Sequence, residues 1–306
     1  MKTTPRELQQ LYRSGANICG HLRAERGLET NNREIIEIAY DLQSGSYVEA
    51  MRDPAVAAHK ADYAIRIASV IAEHLPQPRS ILEAGVGEAT TLSGVLREVR
   101  SNASSRPLEA FGFDLSWSRL KLAQQWLRDN RVQDVELCTG DLCNIPFAEN
   151  GVDVVYTAHS VEPNGGQEEG ILEELYRITR RLLVLVEPGY EFACEEGKRR
   201  MERHGYCRGL ADYARDAGWD VAEHRLLGTS ANPLNPSAVT VIRKSNGVQG
   251  ADTGSDVYAC PWTRSPLQRG ENVWFSPENL SVYPVIGGIA CLRRENAIMA
   301  SAFEAA

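Results

Sequence analysis

Apolar positions recur along this chain in two rhythms, and the change between them divides it. From residue 1 to about 78 the spacing is helical throughout. Ile35, Ile36, Ile38 and Ala39 form one apolar face, and Ala64, Ile65, Ile67, Ala68, Ile71 and Ala72 form another. The polar, turn-rich stretch from Tyr40 to Tyr47 lies between them and predicts a helix connection or a lid over a site. Pro76 and Pro78 close this segment. From Ser80 onward, short apolar runs alternate with helical periods. Strands are predicted at Ile81–Glu83, Leu108–Asp114, Val135–Cys138, Val152–Tyr156 and Leu182–Val186. Helical faces fall between them, such as Leu92, Val95, Leu96 and Val99, or Ile171, Leu172, Leu175 and Ile178. This alternation predicts an α/β fold with a parallel, doubly wound sheet. Two more strands near Asp220–Arg225 and Ala238–Arg243 lack a clear helix between them, so an antiparallel pair should complete a mostly parallel seven-stranded sheet.

Residues 245–259 are rich in Gly, Ser, Asn and Asp and read as a linker. Beyond them, Pro261, Pro266, Pro277 and Pro284 punctuate short β-like pieces such as Val273–Phe275 and Ser281–Tyr283. The expected organisation is a helical cap over 1–78, a core over 79–244, a linker over 245–259 and a small β-rich unit over 260–306. That last unit is too short to bury much core alone, so it should dock on the core or on a partner, including a second copy of the chain.

Composition narrows the classes. The 306 residues carry 33 basic and 41 acidic side chains, for a net charge of −8, which disfavours a nucleic-acid binder. Met1–Gln10 is polar, and runs such as Leu182–Val186 are far too short to span a bilayer, so a cytoplasmic protein is expected. The seven cysteines are scattered without a Cys-x-x-Cys pair, which reads as reduced thiols and no metal site.

Chemistry gathers at the strand ends. The first strand runs into Glu83-Ala84-Gly85-Val86-Gly87, where a tight turn lets a ligand approach the backbone. Asp114 ends the second strand, Asp141 follows the third, and His159 follows the fourth. In a doubly wound sheet these ends share one edge. Thr90 stands where a dinucleotide-binding turn would carry its third glycine, which counts against a nicotinamide oxidoreductase.

Together, Leu82-Glu83-Ala84-Gly85-Val86-Gly87, Phe113-Asp114-Leu115-Ser116, Gly140-Asp141-Leu142 and Val152-Asp153-Val154-Val155 resemble class I S-adenosylmethionine-dependent methyltransferases, whose fold is Rossmann-like. The resemblance covers residues 78–244. It implies S-adenosyl-L-methionine as cofactor, with Glu83, Ala84, Gly85 and Gly87 at its methionine part. Asp114 and Leu115 would hold the ribose hydroxyls, and Asp141 and Leu142 the adenine. It also places the acceptor near the segment after the fourth strand, where His159 is the candidate general base and Glu162 its orienter. Tyr47, Asn164 and Tyr190 are candidate acceptor contacts. A basic run, Lys198, Arg199, Arg200, Arg203 and His204, would favour an anionic acceptor if it faced the cleft, such as a nucleotide-activated sugar or a surface-glycan precursor.

Cys260-Pro261-Trp262-Thr263, Phe275-Ser276-Pro277-Glu278 and Tyr283–Ile289 resemble the small zinc-ribbon activator subunits of tRNA and protein methyltransferases, with Thr263 replacing a zinc-binding cysteine. The expectation is therefore a methyltransferase of a small, anionic acceptor, by O- or N-methylation. A tRNA or protein methyltransferase with a fused activator, or a non-catalytic scaffold, are the alternatives.

Overall fold

A computed structural model describes residues 2–102, 107–244 and 257–303. The amino-terminal segment is helical: α1 (Pro5–Arg13), α2 (Ile18–Arg26), α3 (Arg33–Leu42), α4 (Ser46–Ala50) and α5 (Pro54–His74). Helix α3 starts where Asn32 Oδ1 accepts the Ile35 amide at 2.9 Å. Asp53 caps α5 in the same way, with Pro54 pre-set for its first turn. Leu8, Ile18, Leu22, Ile35 and Ala39 give the first three helices an apolar cluster of their own.

The alternating segment follows as β1 (Ser80–Ala84), α6 (Thr90–Asn102), β2 (Glu109–Asp114), α7 (Trp117–Asp129), β3 (Val135–Thr139), β4 (Val152–Ala158), α8 (Glu168–Ile178) and β5 (Thr179–Pro188). After α9 (Glu195–His204) and α10 (Leu210–Asp216), β6 (Asp220–Leu226) and β7 (Ser237–Arg243) close the core. Strands β3-β2-β1-β4-β5 are parallel, and β7 and then β6 add antiparallel beyond β5. The order reverses between β1 and β4, which opens a crevice at their carboxyl ends. Alternate strand residues feed two cores. Ile81, Val154 and Val184 pack with α5, α6 and α7 on one face; Leu82, Val155 and Leu183 pack with α8 and α10 on the other.

The seven expected core strands are present, but the sheet does not end with them. The carboxyl-terminal unit comprises β8 (Gln268–Gly270), β9 (Val273–Ser276), β10 (Ser281–Ile286), β11 (Ile289–Cys291) and β12 (Ile298–Met299), and it continues the core sheet to twelve strands. Strand β11 lies parallel to β3, pairing Ala290 with Cys138 and Cys291 with Thr139. Without it, β3 would expose its backbone edge. Tyr258, Trp274 and Tyr283 enter the same apolar cluster as Phe147 and Phe111, with Phe147 and Tyr258 edge-to-face at 5.1 Å. A unit of this size cannot bury such aromatics internally, so it shares the core of the main sheet. Of the expected linker, residues 245–256 lie outside the described residues. Val257–Ala259 is buried, and Ala148 N donates to Val257 O at 2.9 Å.

At the amino end of β4, opposite the crevice, Asp153 joins three segments. Its carboxylate accepts from Arg180 Nη1 at 3.0 Å and from Arg79 N at 2.8 Å, and both ionic partners are buried. Asp153→Ala leaves the Arg180 guanidinium buried and unpaired, and is expected to cost about 3–5 kcal/mol. Urea denaturation checks this; an unchanged midpoint would exclude it. Among the described residues, no helix is long and apolar enough to cross a membrane.

Candidate active site

The crevice is a cavity of about 740 Å³ roofed by α3, α4 and α5, within the size range of small-molecule sites. Glu83, Gly85, Gly87, Asp114, Leu115, Asp141, Leu142, His159 and Glu162 all line it, as do Tyr47 and Asn164. Ala84 is buried within β1 and does not reach the wall. Tyr190 lies outside, donating to Glu202 Oε1 at 2.6 Å. None of Lys198, Arg199, Arg200, Arg203 or His204 lines the cavity, so the basic run does not supply an anion site there. It sits on α9, where Lys198 pairs with Glu195 at 3.2 Å and Arg200 packs over the Tyr206 ring.

The turn after β1 is shaped by close approach. Gly85 has φ +74, and a Cβ there would come within 2.2 Å of Ser160 Cβ. Gly87 has φ +54, and its missing Cβ leaves room for the Arg119 guanidinium. Asp114 braces this turn, accepting from Gly87 N and Ser116 N at 2.9 Å each, and it still lines the cavity. Asp141 accepts from Cys143 N and from Arg33 Nη1, both at 3.0 Å.

Glu83 is buried and accepts from Tyr156 Oη at 2.8 Å. Burial pushes its carboxyl up to about 8; the Tyr156 hydrogen bond and the nearby Lys60 charge only partly offset this. Lys60 is itself held below the usual lysine range by burial. Its Nζ lies 5.5 Å from the Tyr63 ring centre and 5.8 Å from that of Tyr47. The Tyr63 hydroxyl and Ser160 Oγ are buried on this wall without a protein partner among the described residues.

His159 sits at φ +59, an uncommon conformation for a residue with a side chain. The next three amides, Ser160, Val161 and Glu162, all donate to buried Glu187 at 3.0–3.1 Å, which stabilises the turn. Burial raises Glu187 to about 7. His159 Nδ1 is hydrogen-bonded to Glu162 Oε2, and Nε2 faces Ser237 Oγ at 2.8 Å. Burial opposes charge on the ring, but the Glu162 hydrogen bond and charge outweigh it and raise the His159 pKa. With Nδ1–H donating to Glu162, Nε2 is the accepting nitrogen, and its partner is the hydroxyl of Ser237, a wall residue through which a cavity hydroxyl could pass its proton. Asn164 serves the loop, its Nδ2 donating to Ser160 O at 3.1 Å.

Several wall residues escape sequence reasoning. Glu88 carries the roof: Oε1 accepts from Gly45 N at 2.9 Å and Oε2 from Val48 N at 2.7 Å. Arg119 lies 4.7 Å from the Tyr47 ring centre and 5.4 Å from that of Tyr40. Only the position of Glu88, directly after the glycine turn, could have flagged it.

Parallel order, a crevice at the strand ends and the carboxylates around it define a Rossmann-like fold. Residues 81–181 match the family model described as a methyltransferase domain. An 88-residue stretch is 30% identical to the demethylmenaquinone methyltransferase of Geobacillus sp. (strain WCH70), covering 29% of this chain; the chain thus spans about a third of that relative, 34%. Among solved structures, magnesium protoporphyrin IX methyltransferase of Synechocystis PCC 6803 with bound S-adenosylhomocysteine superposes with TM-score 0.52 at 14% identity, over 70% of this chain and 100% of that one. The same enzyme with S-adenosylmethionine bound gives TM-score 0.50 at 15% identity, over 70% and 98%. These likenesses are of fold.

Proposed function

We propose that the protein is an S-adenosylmethionine-dependent methyltransferase that methylates a hydroxyl of a small, acidic acceptor. The observation that carries this is the placement of a His159–Glu162 pair in the same cavity as Glu83, Asp114 and Asp141. The residues fit the cofactor: Asp114 offers carboxylate oxygens to ribose hydroxyls, and Asp141 to an exocyclic amine. Glu83 is a buried carboxyl suited to a cationic ligand group. When bound, the cofactor supplies an electrophilic methyl group. The chain's own contribution is to hold the acceptor in line and to take its proton through the Ser237 hydroxyl, which passes its own proton to His159 Nε2, with Glu162 fixing the ring.

The acceptor end of the wall combines Tyr40, Tyr47, Met51 and Val56 with Lys60 and Tyr63. This supports an acceptor with a flat or apolar body and an anionic or easily ionised oxygen, admitted beneath the α3–α5 roof. The roof favours a small molecule over tRNA or protein. The carboxyl-terminal unit then serves the core within one chain, in keeping with its resemblance to activator subunits.

Methyl transfer from labelled S-adenosylmethionine to panels of phenols, sugar nucleotides and tRNA tests the proposal. Turnover confined to small hydroxyl acceptors supports it, and turnover of tRNA alone contradicts it. A further expectation follows from Glu83. Its carboxyl is protonated at neutral pH in the free protein, and a ligand ammonium beside it draws its pKa down. Cofactor binding at pH 7 should therefore release up to about one proton. Calorimetry in buffers of different ionisation enthalpy measures the release, and a buffer-independent enthalpy would exclude it.

A further inference from the structure

The carboxyl-terminal unit lends no residue to the cavity wall, yet one of its segments reaches the wall's supports. Just after β11, Arg293 places its two terminal nitrogens 2.5 and 2.7 Å from the two carboxylate oxygens of Glu37 on α3. Its Nη1 also donates to the carbonyl of Leu115, a wall residue, at 3.3 Å. This arginine side chain is only 10% exposed. Two residues on, Glu295 lies 2.5 Å from Arg33 Nη2, while Nη1 of the same arginine binds Asp141 at 3.0 Å. Asn296 Oδ1 accepts from Thr139 Oγ1, at the end of β3, at 3.4 Å.

Helix α3 is thus pinned at two places four residues apart, Arg33 and Glu37, which share one helical face. Both pins belong to residues 293–295. Bidentate guanidinium–carboxylate geometry makes the Arg293–Glu37 pair directional, and its burial limits screening by salt. The half-exposed Arg33–Glu295 pair is weaker alone, but it fixes the guanidinium that contacts Asp141.

We infer that residues 293–296 are a built-in positioning arm through which the carboxyl-terminal unit holds α3 closed over the Asp141 end of the cavity. The consequence for cofactor affinity rests on the methyltransferase proposal; the hold on α3 does not. Arg293 and Glu295 are positioning residues, since they act through Arg33, Glu37 and Leu115.

The test uses the full chain and three variants: Arg293→Met, Glu37→Gln, and Arg269→Gln as a control on the same unit away from the arm. Amide hydrogen exchange along α3 is followed in ligand-free protein, and S-adenosylhomocysteine affinity is measured by calorimetry. Either arm variant is expected to speed α3 exchange about tenfold relative to the parent and the control, and to weaken S-adenosylhomocysteine by about three- to tenfold. Unchanged α3 exchange in both arm variants overturns the inference. Faster exchange in a protein whose parent binds no S-adenosylhomocysteine upholds the arm and overturns the cofactor assignment instead.

Discussion

His159→Ala is expected to lower kcat by about 10²–10⁴-fold, the usual contribution of a positioned general base, with cofactor binding unchanged. The ring is held from both sides, by Glu162 at Nδ1 and Ser237 at Nε2, so its orientation is set before the acceptor arrives. The pH profile should carry the same signature. The neutral imidazole is the active form, and the Glu162 contact raises the His159 pKa above its ordinary value of 6.5. Activity should therefore fall on the acid side through a midpoint above 6.5. Glu162→Gln removes the stabilising charge, so the midpoint should move to lower pH while the plateau falls. The stability linkage has the opposite sense. The charged His159–Glu162 pair contributes fully below the histidine's unfolded pKa, and its contribution is lost as pH rises through the raised folded value. An acid limb unmoved by Glu162→Gln would remove His159 from the proton-transfer role.

Gly85→Ala is the second large effect. The position has φ +74, which disfavours any side chain by about 1–2 kcal/mol. The larger penalty is steric, because the new Cβ would meet Ser160 Cβ at 2.2 Å. Ser160 belongs to the turn fixed by three amides on Glu187, so it has little room to withdraw. Relief must come from displacing the β1 turn or the His159 loop, and both line the cavity. Loss of measurable cofactor binding is expected, with a melting temperature lowered by several degrees. A variant that binds like the parent would show that the two loops do not meet as described.

The parallel core was legible because each strand is a short apolar run ended by a charged or glycine residue, and each helix keeps its own period. The strand-end carboxylates Glu83, Asp114 and Asp141 were legible for the same reason: topology alone sends them to one edge. The helical roof was not. Lys60, Tyr63 and Arg33 come from helices whose docking depends on tertiary contacts such as those of Glu88 with Gly45 and Val48. Whether Lys198–His204 faced the cleft was not legible, because charge on a helix does not reveal which way the helix faces. The carboxyl-terminal unit announced its strands but not their destination. Only two residue pairs tie β11 to β3, and no local pattern in Ile289–Cys291 specifies that partner.

Titration of the purified protein with S-adenosylmethionine, S-adenosylhomocysteine and NAD, with Asp114→Ala alongside, decides whether the cavity holds the sulfonium cofactor. Asp114 braces the Gly87 turn and faces the cavity, so its loss removes charge-assisted hydrogen bonds on both sides. The two sulfur ligands should bind, about 1.5–3 kcal/mol more weakly in Asp114→Ala, and NAD should not. Binding of NAD alone, or equal affinity in the parent and the variant, would overturn the assignment of this cavity to S-adenosylmethionine.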